Sequence, residues 1–81
     1  MNKTIAARKA VYRWLYERRI HEPGVYFSPD EIKDAAAEPH LAAALAFGQE
    51  MHHLEKKRGS WRMTAFGMMH AEGEGYVEGE E

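Results

Sequence analysis

The chain has 81 residues, of which 44% are apolar and 30% charged, with no Cys and a formal net charge of −2. This length predicts one domain with a modest core, a size at which association with a second copy is common. The lack of Cys excludes disulfides and thiolate metal sites, and no apolar run approaches the roughly 20 residues that span a bilayer, so we expect a cytoplasmic protein with no membrane partner.

Charge is distributed unevenly along the chain. Five of its thirteen acids fall in the last ten residues, so the preceding part carries eleven bases against eight acids and is mildly basic. Six of the bases lie in residues 1–21, and four more cluster in the second half, namely Lys56, Lys57, Arg58 and Arg62. Such clusters suit contact with phosphates, and they suit a solvated surface equally well.

The first helix is predicted over residues 3–20, which contain no Gly or Pro. Its apolar face carries Ala7, Ala10, Val11, Trp14 and Leu15. The remaining surface is aromatic and cationic, which fits either core packing with Arg stems along the surface or contact with phosphates or a partner. The run from His21 to Gly24 ends this helix, because it contains Pro23.

A short extended segment, residues 25–27, precedes a strong helix start. Ser28 is placed to cap the second helix, Pro29 to occupy its first position and Glu31 to complete a capping box. This helix is predicted to continue to about Ala37, with Ile32 on its apolar stripe.

The third helix is predicted to begin at Pro39 and to run through Leu54-Glu55-Lys56-Lys57 until Gly59 ends it. Gly48, in its middle, indicates close packing against another helix. Its predicted buried face consists of Leu41, Ala44, Leu45, Phe47, Gly48, Met51 and Leu54, and its outer face includes Ala42, Ala46, Gln49, His53 and Lys56.

The final third is predicted as a strand, a helix and an acidic tail. Residues 60–63 alternate as a strand, and Thr64 is placed to cap a helix from Ala65 to about Glu72. We expect Phe66, Met69 and His70 to pack back on the first helix, and the Gly- and Glu-rich segment from Gly73 onward to be flexible and dispensable for folding. The predicted shared core is Trp14, Leu15, Ile32, Leu45, Phe47, Met51 and Leu54.

The stretch from Pro39 to Gly67, with its helix, basic exit, strand and Thr-x-x-Gly turn, resembles the second half of a winged helix-turn-helix domain. The resemblance covers roughly residues 5–72. It implies a mainly α fold, with a winged-helix-like three-helix core and a short two- or three-stranded sheet in the order α1-β-α2-α3-β-α4, in which residues 25–27 pair with residues 60–64. The domain would span residues 1–72 and the tail residues 73–81. Only five residues separate Lys57 from Met63, whereas two wing strands and their turn need on the order of ten, so we expect a shortened or absent wing.

The resemblance also implies that the third helix is a recognition helix. Ala42, Ala46, Gln49 and His53 would then face the major groove of double-stranded DNA, with Lys56, Lys57, Arg58 and Arg62 on its phosphates. Gln can pair with adenine and Ala can contact a thymine methyl, but no cation precedes Lys56 on the outer face, which counts against sequence-specific binding.

Two functions therefore stay open. The first is a small DNA-binding transcriptional regulator or accessory DNA-binding protein. The second is a non-enzymatic protein-interaction or dimerisation module on the same scaffold, docking a protein partner or a second copy of itself.

Enzymatic and metal-dependent functions find no motif in the chain. The five histidines include the adjacent pair His52 and His53, which on a helix point about 100° apart and lack the i, i+4 spacing of metal ligands. There is no nucleophile elbow and no phosphate-binding Gly loop. We therefore predict no enzyme activity, cofactor, metal or small-molecule substrate.

Overall fold

A computed structural model describes residues 2–77 of the chain. Its elements are α1 (Lys3–His21), α2 (Pro29–Ile32), α3 (His40–Glu50), β1 (Leu54–Lys57), β2 (Ser60–Met63) and α4 (Ala65–Gly73). The fold is thus mainly helical with a small antiparallel sheet, which agrees with the predicted class. The order differs from the predicted one, because two strands stand between α3 and α4 where a single strand was expected.

Helix α1 begins and ends close to its predicted bounds. The Asn2 side chain accepts hydrogen bonds from the backbone N–H groups of Thr4 and Ile5, at 2.8 and 3.2 Å, and so satisfies donors that the first turn leaves free. Three α1 side chains lie in the core, namely Val11, Tyr12 and Leu15.

Helix α2 has the predicted capping box but ends early. The Ser28 hydroxyl accepts from the Glu31 N–H, and the Glu31 carboxylate accepts from the Ser28 N–H at 2.9 Å. The helix ends at Ile32 and not near Ala37, because Ala35 donates to the Ile32 carbonyl in a tighter turn.

Helix α3 ends at Glu50, seven residues before Lys57, so its predicted extent is wrong. His52 adopts a φ of 64°, in the left-handed region. Its N–H donates to the Gln49 carbonyl at 3.1 Å, and the next N–H, of His53, donates to Gly48 at 2.8 Å. This pair of bonds is the Schellman helix end, which Gly usually provides.

The residues beyond α3 form a β-hairpin. Leu54 pairs with Met63 and Lys57 with Ser60, and the two turn residues, Arg58 and Gly59, have φ values of 53° and 80°. Positive φ at both positions is the geometry of tight two-residue hairpin turns. This short hairpin stands where the resemblance implied a shortened or absent wing.

The predicted pairing of residues 25–27 with the later strand is confirmed as a single bridge. Phe27 donates to the Trp61 carbonyl at 2.8 Å and accepts from the Trp61 N–H at 2.7 Å. This bridge ties the connection between α1 and α2 to the outer edge of β2.

One core joins all these elements. Of the predicted core, Leu15, Ile32, Leu45 and Leu54 are buried, and Trp14 and Phe47 pack against them half-buried. Met51 is 44% exposed, so its placement in the core is wrong: it lies just past the end of α3. Within residues 2–77, the buried apolar residues are Val11, Tyr12, Leu15, Ile32, Leu41, Ala44, Leu45, Leu54, Trp61, Met63 and Ala71. Gly48 does mark a close approach, but to the side chain of Leu54 and not to a helix.

Helix α4 starts as predicted, but the face that it packs against the core is not the predicted one. The Thr64 hydroxyl accepts from the Gly67 N–H at 3.0 Å, which confirms the cap. Gly67 and Ala71 are the buried residues of α4. Gly67 lies so close to the His53 carbonyl that a Cβ at this position would overlap it. Phe66 and Met69 are exposed, so the prediction that they pack on α1 is wrong.

The first residues of the predicted tail are in contact with the core. The Tyr76 N–H donates to the Ala71 carbonyl at 2.9 Å, and its ring lies 5.4 Å from the Tyr12 ring. The rest of that predicted tail, residues 78–81, lies outside the described residues. Among residues 2–77, no helix combines the length and apolar character that crossing a bilayer requires.

Candidate nucleic-acid interface

Three consecutive cations occupy the tip of the hairpin. Lys56 and Lys57 end β1, Arg58 opens the turn, and all three side chains are exposed. The Lys56 ammonium lies 5.4 Å from the centre of the Trp61 ring, and the Lys57 ammonium 5.6 Å from that of Tyr26. Each ammonium group therefore lies over an aromatic face, and because both side chains are exposed, the charges are available to an anionic partner.

Arg62, predicted to contact phosphate, is instead bound within the protein. Its guanidinium donates to the Pro23 carbonyl at 2.8 Å and to the Glu55 carboxylate at 2.7 Å. Tyr26 donates to the same carboxylate oxygen at 2.9 Å. The Tyr26 hydroxyl, and then the Arg62 charge, hold the pKa of Glu55 below its usual value. Arg62 is thus a structural residue that joins β2 to the connection between α1 and α2.

The outer face of α3 is exposed and carries no cation. Ala42, Ala46 and Gln49 are exposed as predicted. They border a groove of about 330 Å³ between α3 and the hairpin. The groove is completed by Pro29, Glu38, Leu45, Lys56 and Trp61. Its floor is apolar, and its rim carries one acid and one base.

Glu38 lies at the N-terminal end of this face. Its carboxylate accepts from the Ala42 N–H at 3.1 Å, as acids at the start of a helix commonly do. A phosphate that approached this end of α3 would meet a negative charge. The exposed cations beside α3 therefore lie at the hairpin tip, and none lies along the outer face of α3.

His53, predicted to face the major groove, lies in the interior, so that prediction is wrong. It is only 1% exposed, and its Nδ1 lies 2.6 Å from the Tyr12 hydroxyl. Its ring stacks on the His70 ring at a centroid distance of 4.1 Å. Because α3 ends before His53, this residue never takes a place on the outer face of the helix.

The protonation states in this cluster follow from burial. Burial raises the pKa of the Tyr12 hydroxyl, which therefore keeps its proton and can donate to His53. Burial, and then the neighbouring His70 and His52, lower the pKa of His53. A neutral His53 that accepts at Nδ1 is the arrangement that matches a Tyr12 hydroxyl acting as donor.

The structure thus divides the eight predicted site residues into three groups. Four border the groove, namely Ala42, Ala46, Gln49 and Lys56, while Lys57 and Arg58 extend the charged tip beyond it. His53 is buried in the core, and Arg62 is hydrogen-bonded to Glu55 and to the Pro23 carbonyl. The sequence analysis did not predict that Leu45 and Trp61 form the floor of the groove. The available signal was Gly59 between two four-residue runs, because Gly readily takes the positive φ that a two-residue hairpin turn requires.

Comparison of the chain with models of known families, with curated proteins and with solved structures gave no match. Within residues 2–77, no three His, Asp or Glu side chains gather where they could hold a metal ion.

Proposed function

We propose that this chain is a small DNA-binding protein of winged-helix type, an accessory factor that contacts the phosphate backbone of the duplex. The observation that carries the proposal is the set of three exposed cations, Lys56, Lys57 and Arg58, at the tip of a hairpin beside the exposed face of α3. The bridge between Phe27 and Trp61 supports it, because it adds the third strand position that such a domain has.

Phosphate contacts would supply most of the affinity. Three contacting cations give a slope of log affinity against log salt of about −2.7. The α3 face offers one side chain able to read a base edge, Gln49, and small alanines that allow close approach to the groove. We therefore propose binding that depends strongly on salt and only weakly on sequence.

A second function is favoured by one specific feature, the groove between α3 and the hairpin. Its floor, formed by Leu45 and Trp61, is apolar, and Glu38 on its rim would repel phosphate. A groove of this kind suits an apolar side chain of a protein partner. A protein-interaction module is the alternative that a negative DNA-binding result would favour.

Charge-neutralising variants separate these functions. We expect Lys57→Gln/Arg58→Gln to flatten the salt slope by about two and to weaken binding to all sequences alike. Gln49→Ala should change sequence preference and leave the slope as it is.

The matched control is Lys9→Gln/Arg13→Gln, which removes the same two kinds of charge from the exposed side of α1. It should keep the wild-type slope in the same titrations against mixed-sequence duplex. If the control flattens the slope as much as the hairpin variant does, phosphate contact is not located at the hairpin and the proposal is wrong.

A further inference from the structure

Helix α4 turns an apolar face to solvent. Phe66 is 57% exposed and Met69 68% exposed, the two highest values among the large apolar side chains of residues 2–77. They are three residues apart on the helix and so lie on the same side. The opposite side, with Gly67 and Ala71, is buried against the rest of the protein.

Met51 is exposed close to the start of α4. The Thr64 hydroxyl, at the start of α4, donates to the His52 carbonyl at 2.8 Å, so α4 begins beside the residue that follows Met51. Met51 is 44% exposed. We call the surface formed by Met51, Phe66 and Met69 the α4 face.

The charges around the α4 face indicate what can cover it. Residues 65–71 contain no Asp, Glu, Lys or Arg, in a chain of which 30% is charged. Glu72, the next acid, is turned toward α1, where it accepts from the Tyr16 hydroxyl at 2.6 Å. A strongly charged partner would lose hydration here and find no opposite charge. An equally uncharged apolar face would meet no such cost.

We propose that the α4 face is a homodimer interface, in which α4 of one copy packs antiparallel against α4 of a second copy. This arrangement places Phe66 of each copy near Met69 of the other, as a two-fold axis requires. It also sets the acidic C-terminal end of each helix, with Glu74, beside the positive N-terminal end of its neighbour.

The small area of the α4 face favours a weak dimer. A nine-residue helix is about 14 Å long, so the contact falls below the roughly 800 Å² per partner of a standard stable interface. We therefore expect a reversible dimer with a dissociation constant on the order of 10–100 μM.

This interface does not depend on what the hairpin binds. Helix α4 begins at the base of the hairpin, and the tip lies four residues away, about 13 Å along the strands. A dimer formed through α4 leaves both hairpin tips free, and its test involves no nucleic acid.

The test is sedimentation equilibrium of the full chain between about 10 and 500 μM, a range that brackets the expected dissociation constant. We expect wild type to shift reversibly from monomer to dimer, and Met69→Glu to weaken the dimer at least tenfold, because it brings two carboxylates into an apolar contact. The matched control is Ile20→Glu, at a side chain that is 53% exposed on α1. It should dimerise as wild type does.

Melting curves at about 5 μM, where the monomer predominates, verify that the variants fold. Phe66→Ser provides a second variant should Met69→Glu fail to fold. Three results would each overturn the proposal: a wild type that stays monomeric at 500 μM, a folded Met69→Glu or Phe66→Ser that dimerises like wild type, or an Ile20→Glu that loses the dimer equally.

Discussion

Lowering the pH from 7.5 to 5.5 should destabilise this protein through His53. The folded state holds His53 neutral, because burial lowers its pKa, and the residues that act on it electrostatically, His70 and His52, oppose its charge further. In the unfolded chain it titrates near its ordinary value of about 6.5. As the pH falls below that value, the unfolded chain therefore takes up a proton that the folded chain does not, and the free energy of unfolding decreases.

The magnitude follows from the linkage between proton binding and folding. One proton bound only by the unfolded state changes the free energy of unfolding by about 1.4 kcal/mol per pH unit. With an unfolded pKa near 6.5, the loss between pH 7.5 and 5.5 reaches at most about 1.4 kcal/mol. The loss stops growing once the pH passes the folded pKa of His53.

Urea unfolding at the two pH values, followed by tryptophan fluorescence, measures this loss. Trp61 is buried in the fold and so reports on its unfolding. The diagnostic variant is Tyr12→Phe/His53→Leu, which replaces both partners of the buried hydrogen bond and leaves neither unsatisfied. It should show a smaller loss on acidification than wild type.

The control for this experiment is Ala42→Gln, a change at an exposed position of α3 that alters no titratable group and should keep the wild-type pH dependence. A wild type with the same stability at both pH values would contradict the prediction for His53. A double variant that folds and loses as much stability on acidification as wild type does would contradict it as well.

Three further predictions concern stability and can be checked by thermal or urea unfolding. Gly67→Ala should cost at least about 2 kcal/mol of stability, because its Cβ would overlap the His53 carbonyl. Its control is Gly24→Ala, where a Cβ meets open space, and this variant should change stability by less than about 0.5 kcal/mol. Equal effects of the two variants would contradict the prediction. Ser28→Ala should cost about 1 kcal/mol through loss of the cap on α2, and an unchanged midpoint would show that the cap contributes nothing. Truncation after Val77 should leave the melting temperature unchanged, whereas truncation after Glu72, which removes Tyr76, should lower it by several degrees; equal melting temperatures would show that Tyr76 contributes no stability.

The last of these predictions differs from what the sequence alone indicated. The Gly and Glu content from Gly73 onward predicted a segment that folding does not need. Tyr76 nevertheless reaches the rings of Tyr12 and His70, with centroid distances of 5.4 and 5.6 Å. A single aromatic residue in a Gly-rich segment has no periodicity, so its contact with the core depends on tertiary structure.

Local signals in the sequence predicted the starts of helices well. Asn2, Ser28 and Thr64 each accept hydrogen bonds at a helix start, and for Ser28 and Thr64 this capping role was predicted from the residue type and its position. The end of α3 was missed, since its left-handed residue is His52 where Gly is usual, and the next Gly lies at position 59. That one error turned the first strand of the hairpin into helix, although the second strand, residues 60–63, was predicted.

The same error explains the misplaced site residues. Had α3 continued, His53 would have lain on its outer face, but after a helix end at Glu50 it turns inward to Tyr12. Arg62 was misplaced for another reason, because its partners, Glu55 and the Pro23 carbonyl, are brought to it only by the folded hairpin. The exposed positions of α3 itself, such as Ala46 and Gln49, followed correctly from helical spacing.

Fluorescence anisotropy with a labelled, mixed-sequence duplex at about 50 mM salt is the most direct test of the central claim, that the hairpin tip binds DNA phosphates. The proposal predicts saturable binding by wild type that weakens roughly 40-fold when the salt is raised to about 200 mM. The variant Lys56→Gln/Lys57→Gln/Arg58→Gln should lose both the binding and its salt dependence. An absence of detectable wild-type binding at the lower salt concentration would contradict the claim and leave the protein-interaction module as the better account.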